Sequence, residues 1–259
     1  MENETGVCKT ADKAVVASFA PHFGEEPPLV GTHGSGTIFF SHCSLRCCFC
    51  QNCDISLDGD GQAAEPGHIA AVMLELKKRG CHNINLVTPT HVVPQFLAAL
   101  DIAADHGLDL PVVYNCGGYD QTETLALLDG VIDIYMPDFK FWDTDIARQA
   151  CQAPDYPQIA RQAVREMHRQ VGDLMVDDAG IARSGLLVRH LVLPDDLAGT
   201  REVVAFLKDL SGETSINIMS QYRPMGAADQ VPALMRPCTP AEFRQALKTA
   251  LDAGLNVIR

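Results

Sequence analysis

The chain has 259 residues, 47% apolar and 20% charged, with 20 Lys and Arg against 33 Asp and Glu for a net charge of −13. That length fits one α/β domain or two small ones, and roughly 70–75% of the unfolded surface can be buried, so the core needs no staple. The composition excludes a disordered chain, and the acidic balance argues against nucleic acid and anionic membrane surfaces.

No apolar run approaches the 18 or so residues of a membrane span, and the start, MENETGVCKTADK, lacks the basic-then-apolar pattern of a leader. The chain is expected to stay in the cytoplasm. Residues 1–30 read as a lead-in, with Gly24-Glu25-Glu26-Pro27-Pro28 as an exposed approach to the first strand or a segment ordered over the barrel mouth, and residues 31–259 as one domain. GTIFFSH (36–42) reads as a buried strand. Ile69, Val72, Met73 and Leu76 then mark one face of a helix over 68–79. NINLVTP (83–89) is the next strand, and Val93, Phe96, Leu97 and Leu100 form a helix face stopped by Gly107. LPVVYN (110–115) is a strand followed by a short helix over 120–129, and VIDIYMPDFK (131–140) is a strand followed by a helix over 156–171. LLVRHLVLP (186–194) precedes a helix over 199–210. SINIMSQY (215–222) precedes a last helix over about 240–253, with Thr239 as N-cap before Pro240.

Six βα units in succession, with strands that are near-continuous apolar runs, imply a parallel sheet covered by helices. Right-handed crossovers leave a doubly wound sheet or an open, partial (β/α) barrel. A barrel places its chemistry at the C-terminal ends of its strands, and the unusual residues of this chain fall there. Strand alternation puts Met136, Asp138 and Lys140 on one face, Leu187, Arg189, Leu191 and Leu193 on another, and Asn217, Met219 and Gln221 on a third. Asp138, Lys140, Arg189 and Gln221 are thereby expected in one interior, either binding a polar ligand or forming a structural ion network. His190 is expected to face the helix layer as a satisfied core residue.

Ten cysteines are present, five of them in the eleven residues from Cys43 to Cys53. In a reducing compartment they are not expected to pair, and their density points to a metal centre. Cys43-x3-Cys47-x2-Cys50 offers three thiolates to an iron–sulfur cluster, one short of the usual four, which leaves an open iron for chemistry. With Cys53 added, the same loop suits structural zinc or an electron-transfer cluster.

CSLRCCFC matches the CxxxCxxC loop, with an aromatic before its last cysteine, of the radical S-adenosylmethionine (SAM) superfamily. GSGTIFFSHCSLRCCFCQN, NINLVTPTH, VYNCGGYD, DIYMPDFK, VRHLVLP and MSQYRP together resemble one branch of it, the uncharacterised homologues of pyruvate formate-lyase activating enzyme. The resemblance implies an α/β fold of the partial (β/α)6 TIM-like barrel type. It implies a [4Fe–4S] cluster on Cys43, Cys47 and Cys50, with SAM on the fourth iron. Phe49 resembles the aromatic beside the adenine, and Asn52 the Asn two after the third cysteine. Thr88 and Thr90, with His91, stand where many relatives carry Gly-Gly-Glu for the SAM amino group, so hydroxyls and an imidazole replace a carboxylate. Asn115 and Gly117 belong to the strand end of VYNCGGYD, where Asn115 replaces a usual Asp. Asp138 and Lys140 match Asp-x-Lys, and Arg189 matches an Arg near the methionine carboxylate. Gln221, placed in the same interior by alternation, is counted with these residues as a candidate cofactor contact.

The implied function is reductive cleavage of SAM to a 5′-deoxyadenosyl radical, which takes hydrogen from a substrate. A glycyl-radical protein is one candidate substrate, and a flavodoxin- or ferredoxin-type protein is the implied electron donor. The competing reading is a non-catalytic iron–sulfur or zinc-binding protein that carries electrons or organises a partner.

Overall fold

The computed structural model describes residues 6–258, so the first five residues of the opening stretch lie outside it. The strands are β1 (Ala14–His22), β2 (Ser35–Phe40), β3 (Gln62–Ala64), β4 (Ile84–Val87), β5 (Val112–Cys116), β6 (Ile134–Pro137), β7 (Met175–Val176), β8 (Ala182–Leu191), β9 (Ser215–Met219) and β10 (Asn256–Val257). The helices are α1 (Pro27–Val30), α2 (Pro66–Lys78), α3 (Val93–Asp105), α4 (Thr122–Ala126), α5 (Thr144–Cys151), α6 (Tyr156–Val171), α7 (Thr200–Leu210) and α8 (Pro240–Asp252). The sheet order is β10-β9-β8-β6-β5-β4-β2-β1-β3, with β7 beside β8. The six strands expected from sequence, β2, β4, β5, β6, β8 and β9, pair in parallel as the core of a partial barrel. Its two edges do not meet.

Alternation along the strands builds two layers. Ile84, Leu86, Tyr114, Tyr135, Leu186, Val188, Ile216 and Ile218 pack outward against the helices. Val113, Ile134, Met136 and Leu187 face inward and form a separate small core with Leu29. α8 begins with a capping box, Thr239 accepting from the Glu242 N–H and Glu242 from the Thr239 N–H, which is why its start was legible.

The lead-in departs from the sequence reading. β1 is antiparallel to β2, pairing Val16 with Phe40 at one end and His22 with Ser35 at the other. The chain therefore descends to the N-terminal end of the barrel, where α1 closes the floor. Asn83 fixes that floor: its amide donates to the Leu29 carbonyl at 2.8 Å while its oxygen accepts from Ser35 at 2.6 Å. Glu25 and Glu26 are not exposed. Glu26 is only 5% accessible, and the Glu25 side chain 8%. Both enter the barrel because α1 turns inward.

Leu29 is fully buried and is the lead-in's apolar contribution to the inner core. Leu29→Ala is expected to lower the unfolding free energy by about 2–5 kcal/mol through the cavity it leaves. A urea titration should show a lower midpoint with an unchanged m-value.

Candidate functional site

The cysteine loop leaves the C-terminal end of β2 and is braced by distant segments. Arg46 N–H donates to the Cys151 carbonyl (3.3 Å) and Cys48 N–H to that of Ala150 (2.8 Å), which docks the loop on the end of α5. From the other side, Ala227 N–H donates to the Cys48 carbonyl at 2.7 Å. A Cβ on Gly226, whose φ is +56°, would lie 2.8 Å from that same oxygen, so glycine admits the contact. Phe49 is buried edge-on between Phe141 (6.0 Å) and Tyr222 (5.6 Å), which orients the turn that carries Cys50. The Cys50 thiol touches the Ser56 hydroxyl at 3.1 Å.

Cys43, Cys47 and Cys50 are free thiols. Burial pushes the Cys43 thiol up to about 12, and its neighbours Cys47 and Cys50 add to the shift. The Cys47 thiol lies against Cys151, which together with burial raises it. The Cys43 and Cys47 thiols stay protonated at neutral pH without a cation to take their charge, which is what a metal centre supplies. Among the described residues no three His, Cys, Asp or Glu side chains close around one metal ion. A cluster asks for something different, since each thiolate binds its own iron. The donor set, three soft sulfurs on one braced loop, fits it.

Beneath the loop lies the charge network. Lys140 Nζ donates to Asp138 Oδ2 at 2.7 Å, and Arg189 Nε donates to Asp138 Oδ1 at 2.8 Å. Arg189 Nη2 also donates to Asn115 Oδ1 at 2.7 Å, and Nη1 to Glu25 Oε2 at 3.3 Å. A backbone bridge between Asp138 and Arg189 carries the β6–β8 pairing past the end of β6, which preserves the parity read from sequence. Burial alone would raise the Asp138 carboxyl, but Arg189 and Lys140 beside it hold it below its ordinary value. Burial opposes the charge on Lys140 too, and Asp138 reverses the balance and raises it. Gly117 lets the layers meet: a Cβ there would sit 3.0 Å from Leu45 of the loop and 3.6 Å from the Lys140 stem. A cleft of about 40 Å³ between Phe49, Asp138, Lys140, Leu191 and Met219 joins loop and network. A larger cavity, about 840 Å³, lies beside β1, β3 and α2 instead, and His68 is its only titratable lining residue.

Other expected residues lie outside this network. Gln221 is exposed, its amide donating to Met219 Sδ at 3.2 Å, because β9 ends at Met219 and alternation stops with it. Asn52 is exposed at the loop's outer end. Thr88 has φ of +59° and donates its N–H to the Asn115 carbonyl at 2.9 Å, tying β4 to β5. Thr90 lies beside the buried Asp120, which accepts from Tyr114 at 2.7 Å on the helix side. His91 Nε2 bonds the Ser41 carbonyl at 2.8 Å at the root of the loop. His190 faces the helix layer as expected, between the Phe139 carbonyl (2.8 Å) and Thr200 (3.0 Å). Sequence reasoning missed three contributors. Glu25 reaches Arg189, Cys151 lies against Cys47, and Tyr156 accepts from Lys140 N–H at 2.8 Å while donating toward the Asp138 and Gly117 carbonyls.

Three solved structures share this architecture. HydG, a maturase of the [FeFe]-hydrogenase, matches with a TM-score of 0.56 at 12% identity over 82% of this chain and 47% of its own. anSMEcpe, solved with bound AdoMet, matches at 0.51 with 9% identity over 82% of this chain and 57% of its own. The radical S-adenosylmethionine methyltransferase TsrM from Kitasatospora setae, solved with cobalamin and a [4Fe–4S] cluster, matches at 0.50 with 14% identity over 72% and 36%. The chain spans about half or less of the length of most of these structures. Its fold is the partial (β/α) barrel that these structures share. No family model matches the sequence. The chain is 30% identical over 267 residues to the uncharacterized protein MJ0674 of Methanocaldococcus jannaschii, covering 99% of this chain and 72% of that one, and it belongs to the same family.

The Asp138 side chain is 19% exposed, and removing its charge takes the carboxylate partner from Lys140 and leaves Arg189 only its longer pair with Glu25. Asp138→Asn is expected to cost about 3–5 kcal/mol at neutral pH. Because the folded carboxyl titrates below its unfolded value, its contribution is present above about pH 4 and is lost as pH falls through the folded value. Urea titrations across pH should therefore show a constant gap between wild type and variant down to about pH 4, closing only below it.

Proposed function

We propose that this chain is a radical SAM enzyme: an iron–sulfur protein that cleaves SAM reductively and takes a hydrogen atom from a substrate. The observation that carries this reading is the juxtaposition of a three-thiol loop with the Asp138–Lys140–Arg189 network at the mouth of a partial barrel. Cys43, Cys47 and Cys50 would hold a [4Fe–4S] cluster and leave its fourth iron to the amino and carboxylate groups of SAM. When bound, the reduced cluster supplies the electron that splits SAM into methionine and a 5′-deoxyadenosyl radical.

The chain's own residues position and shield. Lys140 and Arg189, fixed by Asp138, offer charge-assisted hydrogen bonds to an anionic ligand, each worth roughly 1.5–3 kcal/mol. Asn115 holds Arg189 and is not charged, so it adds no repulsion toward that ligand. Phe49 with Phe141 and Tyr222 gives the mouth an apolar wall. The enclosed cleft is far smaller than a nucleoside, so the adenosyl group belongs across the mouth rather than within it. By its resemblance to the activating-enzyme branch, a glycyl-radical protein is one candidate substrate and a flavodoxin- or ferredoxin-type protein the candidate electron donor.

Reconstituted without oxygen and reduced with dithionite, the protein is expected to bind about four irons per chain and to release 5′-deoxyadenosine from SAM. Cys43→Ala, Cys47→Ala and Cys50→Ala should each reduce that release to background. Cys53→Ala should keep iron and turnover. A cluster-loaded protein that never releases 5′-deoxyadenosine favours the non-catalytic reading, and loss of the cluster in Cys53→Ala overturns the three-ligand assignment.

A further inference from the structure

We propose that Glu25 occupies a carboxylate-binding site built on Arg189 and Asn115, which a free or ligand-borne carboxylate takes over when the Glu25 side chain swings out. The contacts around Arg189 differ in quality. Its Nε and Nη2 bonds, to Asp138 and Asn115, are 2.8 and 2.7 Å and fix the guanidinium plane by themselves. Nη1 reaches Glu25 Oε2 only at 3.3 Å, and Asn115 Nδ2 reaches Glu25 Oε1 only at 3.4 Å. Two donors therefore face the two oxygens of one carboxylate, the arrangement that recognises carboxylates bidentately, yet Glu25 fills it loosely.

Glu25 is nonetheless buried, at 8% side-chain exposure. Burial raises its carboxyl, with Arg189 acting against the shift. A buried anion held by long bonds recovers little of its lost hydration, so it is a replaceable occupant. A replacement is called for by the donors rather than by charge, since Asp138 and the buried Glu26 already act on Arg189: without Glu25, Arg189 Nη1 and Asn115 Nδ2 lose the acceptor they share. The segment need not unfold to release it. Asn217 holds Glu26 Oε1 at 2.8 Å and Leu29 is seated in the inner core, so rotation of the Glu25 side chain vacates the donors.

The ligand class is a small carboxylate or a carboxylate-bearing ligand. Only the second arm of the test rests on the SAM reading; the first does not. In Glu25→Ala, sodium acetate should raise the melting temperature by about 2–4 °C over sodium chloride at equal ionic strength, while wild type, whose site is filled, shows no difference between the salts. If Glu25→Ala is unfolded in chloride, recovery of folded protein in acetate alone counts as the same result. A variant equally stable, or equally unfolded, in both salts overturns the proposal. In the second arm, Glu25→Gln in reconstituted protein should bind SAM three- to tenfold more tightly than wild type by calorimetry. Equal or weaker binding counts against displacement by that ligand, and absence of SAM binding in wild type sinks the SAM reading while leaving the acetate result to decide on Glu25.

Discussion

Two buried cations share one carboxylate at the C-terminal rim of this barrel, and the surrounding structure is organised by the need to keep them there. Ionised groups with side chains about a fifth exposed are costly unless each finds partners of good geometry. Asp138 meets Lys140 with one oxygen and Arg189 with the other. Asn115 supplies an amide oxygen from the next strand but one, and Glu25 supplies a second carboxylate from the opposite end of the barrel. Tyr156 locks the backbone at Lys140. The partners come from β5, β6, β8, α6 and the lead-in, so the network assembles only when the fold does.

The cysteine loop depends on that same assembly. A stretch with five cysteines in eleven residues has no regular structure to order it. Its shape comes from backbone bonds to the end of α5 and to Ala227, from the burial of Phe49, and from the close approach that Gly117 allows between Leu45 and Lys140. A loop preordered in this way loses less conformational entropy on binding a cofactor, and it brings the thiols to the charged rim rather than to bulk water.

Much of this was legible in the sequence because it follows from local periodicity. The six parallel strands show as apolar runs, α6 coincides with its expected span, and α8 is announced by Thr239, Pro240 and Glu242. Alternation placed Asp138, Lys140 and Arg189 together because a backbone bridge extends the pairing through them. The same rule misplaced Gln221, since β9 stops two residues earlier and alternation has no meaning beyond a strand. Glu25 and Glu26 looked exposed because acidic residues beside prolines usually are; only the inward turn of α1 buries them. Cys151 approaches Cys47 across about a hundred residues of sequence, and no spacing marks such a pair.

The proposed function requires that Cys43, Cys47 and Cys50 hold a cluster with one iron free to meet a ligand above the charged rim. The electron paramagnetic resonance spectrum of the dithionite-reduced protein, recorded with and without SAM, tests it most directly. The account predicts a [4Fe–4S] signal whose g-values move when SAM is added, because the ligand binds the cluster itself. A cluster signal indifferent to saturating SAM, or a protein that takes up zinc and no iron, would contradict it.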